Sequence, residues 1–276
     1  MKTIKALYIS PTGNTKKAVN AFCKSLAEEM TEGDYKEDDI TAKKAREEGR
    51  EFSKDDVVVV GCPTYAGRLP NKLMPYLRDR LEGNGAKAIA LVTYGNRAYD
   101  DALRELAEVL EKAGFDVAGA LAVPAEHAFA KKLATGRPDM ADIRILGHIA
   151  ADFAEKLGSA NYRKLKVNEL PGRAPEEMRY YEPKREDGEA ASFLKVKPVT
   201  DESLCDDCGR CRQICPMGCY DNGTKVAEGI CIKCHGCISV CPNNAKAFTD
   251  GELLSHKAML EANFAGVRKQ IEAFGV

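Results

Sequence analysis

The feature that most constrains this chain is a cysteine pattern written twice between Cys205 and Pro242. The first copy, C-D-D-C-G-R-C-R-Q-I-C-P, places Cys205, Cys208, Cys211 and Cys215 ahead of Pro216. The second, C-I-K-C-H-G-C-I-S-V-C-P, places Cys231, Cys234, Cys237 and Cys241 ahead of Pro242. Cys231 follows Cys205 by 26 positions, and the same offset relates the other three pairs, so the segment is an internal duplication. Halves this small cannot build a sufficient hydrophobic core of their own, so the sulfur atoms must take part in holding them. Of the eleven cysteines, eight make up this doubled pattern. In a secreted chain that count would suggest disulfides, but the apolar stretch after Lys5 stops at Pro11, too soon for a signal peptide. The chain therefore reads as cytoplasmic, where thiolates at such spacing are metal ligands.

The spacing C-x2-C-x2-C-x3-C-P is that of bacterial [4Fe–4S] ligation, in which the fourth cysteine crosses to the other cluster. By that rule Cys205, Cys208, Cys211 and Cys241 hold one cluster, and Cys231, Cys234, Cys237 and Cys215 the second. Zinc is the alternative metal, since two C-x2-C pairs suffice for it, but repeated triplets that each close with C-P favour iron. Cys219 aligns with Ala245 across the repeat and reads as a small packing residue. His235 lies between ligands, where it is either a plain neighbour or an influence on potential.

Ahead of this run the chain alternates strand-like and helix-like blocks. Ile4–Ile9, Val57–Gly61, Ala88–Thr93 and Val117–Val123 are short apolar runs, and the β-branched Val57–Gly61 is expected to be buried on both faces. Lys16–Met30, Leu69–Leu81, Asp100–Ala113 and Met140–Leu157 carry apolar residues at helical spacing. The charged stretch between Thr31 and Ser53 is assigned a weak edge strand. This alternation predicts an α/β domain built on a doubly wound parallel sheet.

Ligands of such sheets lie at the carboxyl ends of the strands. Three loops fall there. S-P-T-G-N-T (Ser10–Thr15) follows the first strand and opens a helix. Free N–H groups and small hydroxyls at that position suit a phosphate, although an ordinary Ser/Thr cap and turn would look the same. C-P-T-Y-A-G-R (Cys62–Arg68) and T-Y-G-N-R-A-Y (Thr93–Tyr99) each set a Tyr and a Gly at a strand end, suited to a flat aromatic ligand over backbone. No G-x-G-x-x-G fingerprint occurs, which argues against NAD or FAD.

S-P-T-G-N-T is similar to the FMN phosphate loop of flavodoxins, and the two Tyr-Gly loops resemble their two isoalloxazine loops, over about residues 1 to 160. With the cysteine run, the chain resembles the flavodoxin–ferredoxin fusion proteins of anaerobic prokaryotes. The resemblance implies a flavodoxin-like five-stranded parallel sheet (1–160), a linker (161–199), a small α+β two-cluster ferredoxin-like domain (200–250) and a C-terminal helix (251–276). It implies FMN and two [4Fe–4S] clusters as cofactors. Ser10, Thr12, Gly13, Asn14 and Thr15 would hold the phosphate. Thr64, Tyr65, Ala66 and Gly67 would flank one side of the ring, and Thr93, Tyr94, Gly95, Asn96 and Tyr99 the other. Arg68 and Arg97 depart from the acidic surroundings of many flavodoxin rings. Either they favour the reduced flavin, or they point to solvent or pair with Asp100 and Asp101.

Residues 170–200 show little periodicity and read as a tether or as a strap anchored by Tyr180, Tyr181 and Phe193. Glu252–Phe274 has apolar residues at helical spacing and is expected to be one helix. Cys23 reads as a core residue, Cys62 as a packing residue or a redox thiol beside the flavin loop, and His127, just past the last strand, as a surface or hydrogen-bonded histidine or a neighbour of the flavin. A formal charge of −1 gives no general attraction for nucleic acid, and no apolar run is long enough to span a membrane. The expected function is electron transfer between two clusters and FMN, with redox proteins such as a ferredoxin or reductase as partners. The alternative is a flavin-dependent reductase of a small acceptor such as a quinone. No acid–base or nucleophile constellation marks a catalytic residue, so carrier and enzyme both stand open.

Overall fold

A computed structural model of the chain describes residues 3–30 and 35–276. Residues 1–2 and 31–34, which fall within the expected first domain, lie outside the described residues.

Strands β1 (Thr3–Tyr8), β2 (Tyr35–Asp39), β3 (Asp56–Pro63), β4 (Lys87–Tyr94) and β5 (Asp116–Pro124) form a parallel sheet in the order 2-1-3-4-5. β3 is D-V-V-V-V-G-C-P, buried along nearly its whole length, as a strand covered on both faces must be. Helices α1 (Asn14–Glu29) and α4 (Met140–Gly158) cover one face, where Phe22 and Phe153 meet edge to face with centroids 5.8 Å apart. Gly61 lets α1 approach: a Cβ there would stand 2.3 Å from Val19 Cγ2. Helices α2 (Met74–Asp79) and α3 (Ala102–Lys112) pack the opposite core, around Leu73, Leu77, Leu103 and Leu106. α2 is shorter than the expected 69–81 helix. Pro75, which has no N–H, fits only the first helical turn and fixes where the helix begins.

The sheet has a sixth, antiparallel strand where five parallel strands were expected. Helix α7 runs from Gly251 to Phe264, then the chain leaves the helix around Gly266. Glu272–Phe274 (β6) pairs antiparallel with Ala120–Ala122 of β5. The apolar residues Val267 and Ile271 kept the helical period past the true end of the helix. A glycine costs about 1 kcal/mol in a helix interior, and pairing the open edge of β5 satisfies backbone groups that a longer helix would leave free.

Between α4 and the cysteine run, the chain is strapped across the first domain. Tyr180 Oη donates to the Leu69 carbonyl (2.7 Å), Tyr181 N donates to the Ala66 carbonyl (2.8 Å), and Phe193 packs on His256 at 5.5 Å.

The duplicated cysteine run folds the same way twice. Helices α5 (Arg210–Ile214) and α6 (Gly236–Ser239) each follow a residue in the left-handed region, Gly209 (φ 75°) and His235 (φ 59°), which are repeat counterparts. Two further counterpart pairs share positive φ: Asp207 with Lys233, and Gly218 with Asn244. Cys215 Sγ accepts from Cys219 N, and Cys241 Sγ from Ala245 N, both at 3.2 Å. A two-residue pairing of Val199–Thr200 with Lys246–Ala247 closes the module. Among the described residues no helix is long and apolar enough to cross a membrane.

Candidate functional site

The carboxyl ends of β1, β3, β4 and β5 open into a cavity of about 230 Å³. Its walls include Thr12, Asn14 and Thr15 of the first loop, Thr64–Gly67 of the second and Thr93–Gly95 of the third. The loop after β5 adds residues 125–129, and residues from the strap and the cysteine module close the remaining side.

The first loop is built to leave donors free. Ser10 points inward: its N donates to Thr41 Oγ1 (2.7 Å) and its Oγ accepts from Lys16 N (2.9 Å). Gly13 takes φ 87°, which turns the chain into α1. Among the described residues, the N–H groups of Thr12, Asn14 and Thr15 donate to no protein acceptor. Three free amides at the head of a 16-residue helix are donors of the kind that can meet an anion. Two contacts lock this loop to its neighbours. Thr15 Oγ1 and Thr93 Oγ1 share a hydrogen bond of 2.7 Å, and Asn14 Nδ2 donates to the Glu126 carbonyl (2.8 Å).

The ring loops show the same unfinished bonding. Thr64 Oγ1 and Tyr94 Oη are buried without a hydrogen-bond partner. A Cβ at Gly67 would overlap Asp100, and one at Gly95 would sit 2.1 Å from the His127 ring. Tyr65 stands beside Cys234, and burial first, then that thiol, raises its phenol well above the ordinary range. Burial, then the Glu272 charge, pushes Tyr94 up to about 12. Both rings stay protonated and uncharged at neutral pH.

Four expected contacts stand outside the cavity lining: Ser10, Gly13, Asn96 and Tyr99. Asn96 is fully buried, with Nδ2 donating to the Phe264 and Val267 carbonyls at 2.8 and 2.7 Å, so it ties down the end of α7. Tyr99 Oη donates to Glu272 (2.8 Å), and its ring packs on Tyr94. Arg68 and Arg97 are both committed. Arg97 pairs with Asp100 and lies 4.0 Å over the Tyr181 ring. Arg68 pairs with Glu105 rather than Asp100 or Asp101, and donates to the Met178 carbonyl (3.2 Å). Asp101 is taken by Arg173. Cys23 and Cys62 are core residues, buried on α1 and β3, and burial raises both thiols.

Sequence reasoning did not place the closing wall of Tyr181, Phe193, Ile232, Lys233, Cys234 and His256 at this cavity. Tyr181 and Phe193 carried a signal as large aromatics in an otherwise unpatterned stretch, and Cys234 as part of the cysteine pattern.

Cys215, Cys231, Cys234 and Cys237 line a second, smaller cavity together with Cys219. The Cys219 thiol touches both Cys215 and Cys231, and its hydrogen bonds lower them to about 6 and about 7 while Cys219 itself is pushed up. Cys237 is raised to about 11 by burial. On the other side, Cys205 and Cys211 flank Thr224 at 4.0 and 3.9 Å, and Cys208 is exposed. Cys241 is half-buried. Among the described residues no group of three or more His, Cys, Asp or Glu side chains could hold a metal ion as arranged. Ile232 and Cys234 line both cavities. His235 is buried between Phe129 and Phe248, at centroid distances of 5.1 and 4.6 Å.

Residues 7–137 match the flavodoxin family. That stretch runs from the end of β1 through β2, β3, β4 and β5 with their loops. The N-terminal region is a flavodoxin-like domain. Among solved structures, a flavodoxin from the domain Archaea is 19% identical over 58% of this chain and 100% of its own, with TM-score 0.37. An NADH:FMN oxidoreductase, EmoB, in its apo form is 18% identical over 59% of this chain and 95% of its own, with TM-score 0.41. Rubredoxin oxygen:oxidoreductase from the anaerobe Desulfovibrio gigas is 18% identical over 57% of this chain, with TM-score 0.37; only 36% of that protein is covered. No curated protein matches the sequence. The flavodoxin-like domain implies FMN, and the three free amides, the unpartnered Thr64 and Tyr94 oxygens and the glycine-lined ring loops fit that cofactor.

Proposed function

We propose that the chain is an electron-transfer protein that passes electrons between two [4Fe–4S] clusters and one FMN. The observation that carries this reading is the shared wall: Ile232 and Cys234 belong at once to the flavin cavity and to the cysteine-lined cavity. When bound, FMN supplies a two-electron store that can be drawn on singly, and each cluster a one-electron station. Thr12, Asn14 and Thr15 would bind the phosphate, and Thr64–Gly67 with Thr93–Gly95 would frame the ring. Cys231, Cys234, Cys237 and Cys215 would hold the inner cluster, and Cys205, Cys208, Cys211 and Cys241 the outer. A cluster of four irons and four sulfides fills the space between its thiolates, so ligands that ring a cavity suit it better than ligands that converge on a point. The twice-repeated backbone supports two equivalent sites.

Tyr181, Phe193, His256 and Leu260 line the same cavity and would cover a bound ring on this side. Cys208 is exposed and Cys205 half-buried, so a redox partner protein, a ferredoxin or a reductase, would meet the module at this edge. A second reading rests on the same closing wall. Its aromatic side chains would also accept a flat small acceptor such as a quinone, making the protein a flavin-dependent reductase fed through the clusters.

Anaerobic purification should yield about eight iron atoms and one FMN per chain. Stoichiometric zinc without iron would refute the cluster reading. Stopped-flow mixing with a reduced ferredoxin should bleach the flavin faster than mixing with NADH. Steady turnover of a quinone by the ferredoxin-reduced protein would favour the reductase over the carrier.

A further inference from the structure

We infer that His127 supplies a fixed, neutral hydrogen-bond donor, its Nε2–H, to the acceptor edge of the flavin ring and so favours the reduced cofactor. This rests on the FMN reading above. His127 stands in the loop after β5 and lines the flavin cavity beside Gly95 and Phe129. Its Nδ1 lies 3.3 Å from Phe129 N and 3.1 Å from Ala130 N. Both partners are backbone donors, so Nδ1 must accept, and the single proton of the neutral ring resides on Nε2.

The ring has little freedom to turn. It meets Phe129 edge to face at 4.4 Å and 88°, and its Cδ2 edge presses on the Gly95 backbone, where any Cβ would stand 2.1 Å away. Cδ2 is bonded to Nε2, so this contact sets the donor beside the ring loop. The loop after β5 that carries His127 is tied to the first loop by the bond from Asn14 to the Glu126 carbonyl. Among the described residues Nε2 has no protein acceptor, and His127 lines the cavity. Burial, and then the charges of His235, His256, Lys131 and Arg97, hold the imidazole down at about 3, so the group acts as a neutral donor and not as a cation.

At neutral pH a reduced flavin carries more negative charge than an oxidised one. A hydrogen bond to a charged acceptor is worth more than one to a neutral acceptor. A donor at that edge therefore binds the reduced state more tightly. Arg68 and Arg97 do not serve this purpose, since each is held by its own carboxylate.

The test is anaerobic titration of the full chain, wild type against His127→Phe, with oxidised and with dithionite-reduced FMN. The Kd for reduced FMN should rise about tenfold more than the Kd for oxidised FMN. That ratio equals a fall of about 30 mV in the two-electron midpoint. His127→Gln keeps an N–H donor and should recover most of the difference. Equal changes in both states, or none, would overturn the role. Should His127→Phe fail to fold, 15N NMR of the wild-type imidazole decides: protonated Nε2 without FMN, and an Nε2–H resonance that moves on adding reduced FMN, are expected. A proton on Nδ1, or an unmoved resonance, would overturn it. A wild-type chain that binds FMN in neither state would sink the cofactor reading itself, and this role with it.

Discussion

The flavodoxin-like domain and the cysteine module meet along Ile232 and Cys234, yet their interiors are made of different material. Both faces of the domain's sheet rest on buried Val, Leu, Ile, Ala and Phe. The module's own buried cluster is Cys211, Cys215, Cys219, Tyr220, Ala227 and Cys237, so four of its six members are cysteines. The domain holds its cavity open by hydrophobic burial and by hydrogen bonds among loops, before any ligand arrives. On the reading proposed above, the module would draw much of its stability from what its sulfurs bind. Removing the proposed metal should then expose that difference at its largest. Stripping iron with a strong chelator should abolish amide-exchange protection across residues 205–242 and leave β1, β3, β4 and β5 protected. Full protection of the stripped module would show that its fold does not depend on bound metal.

Acid separates the two regions more gently. The proposed thiolate ligands would be lost as they protonate, whereas the domain depends on carboxylates only at particular points. Asp139 caps α4 in a reciprocal box with Asp142, its side chain accepting from Ala141 N and Asp142 N. Those bonds, with Arg268 alongside, lower Asp139 to about 2. The folded pKa lies below the unfolded value of about 3.9, so the contribution is complete above pH 4 and lost as pH falls toward 2. Asp139→Ala should cost about 1 kcal/mol at pH 7, read as a lower midpoint in urea, and the gap from wild type should close between about pH 4 and pH 2. A gap that persists at pH 2 would mean that the cap works without its charge.

The two regions also differ in how plainly the sequence declares them. The cysteine run stands out because residue type and spacing recur together, and the twofold backbone repeat was legible in that duplication. The loops after β1, β3 and β4 were readable as the walls of a cavity because strand, turn and helix follow in order, each with local signals. What escaped depends on segments far apart in sequence. Asn96 sits in a ring loop by position, but its amide is claimed by carbonyls of Phe264 and Val267, some 170 residues on. The last strand, Glu272–Phe274, has no strand pattern of its own; it exists because β5 offers an open edge. The closing wall around His256 and Lys233 likewise follows from docking and not from local pattern.

The smallest expected effect concerns the charge beside the ring. Arg68 follows Gly67 in a ring loop, and from position alone it could be a cation that raises the flavin potential. Its guanidinium instead pairs with Glu105, and the same carboxylate accepts from Leu69 N at 2.8 Å. Glu105 is 5% exposed, so removing the arginine alone would strand a buried anion and confuse stability with potential. Arg68→Met combined with Glu105→Gln removes both charges at once. The paired charges largely cancel at the ring, so the double variant should move the two-electron midpoint by much less than the about 30 mV that a tenfold differential in binding represents. Potentiometric titration beside His127→Phe makes the contrast direct. A double variant whose midpoint fell as far as that of His127→Phe would show that Arg68 acts on the flavin despite its partner, and that charge as well as a neutral donor sets the potential of this cavity.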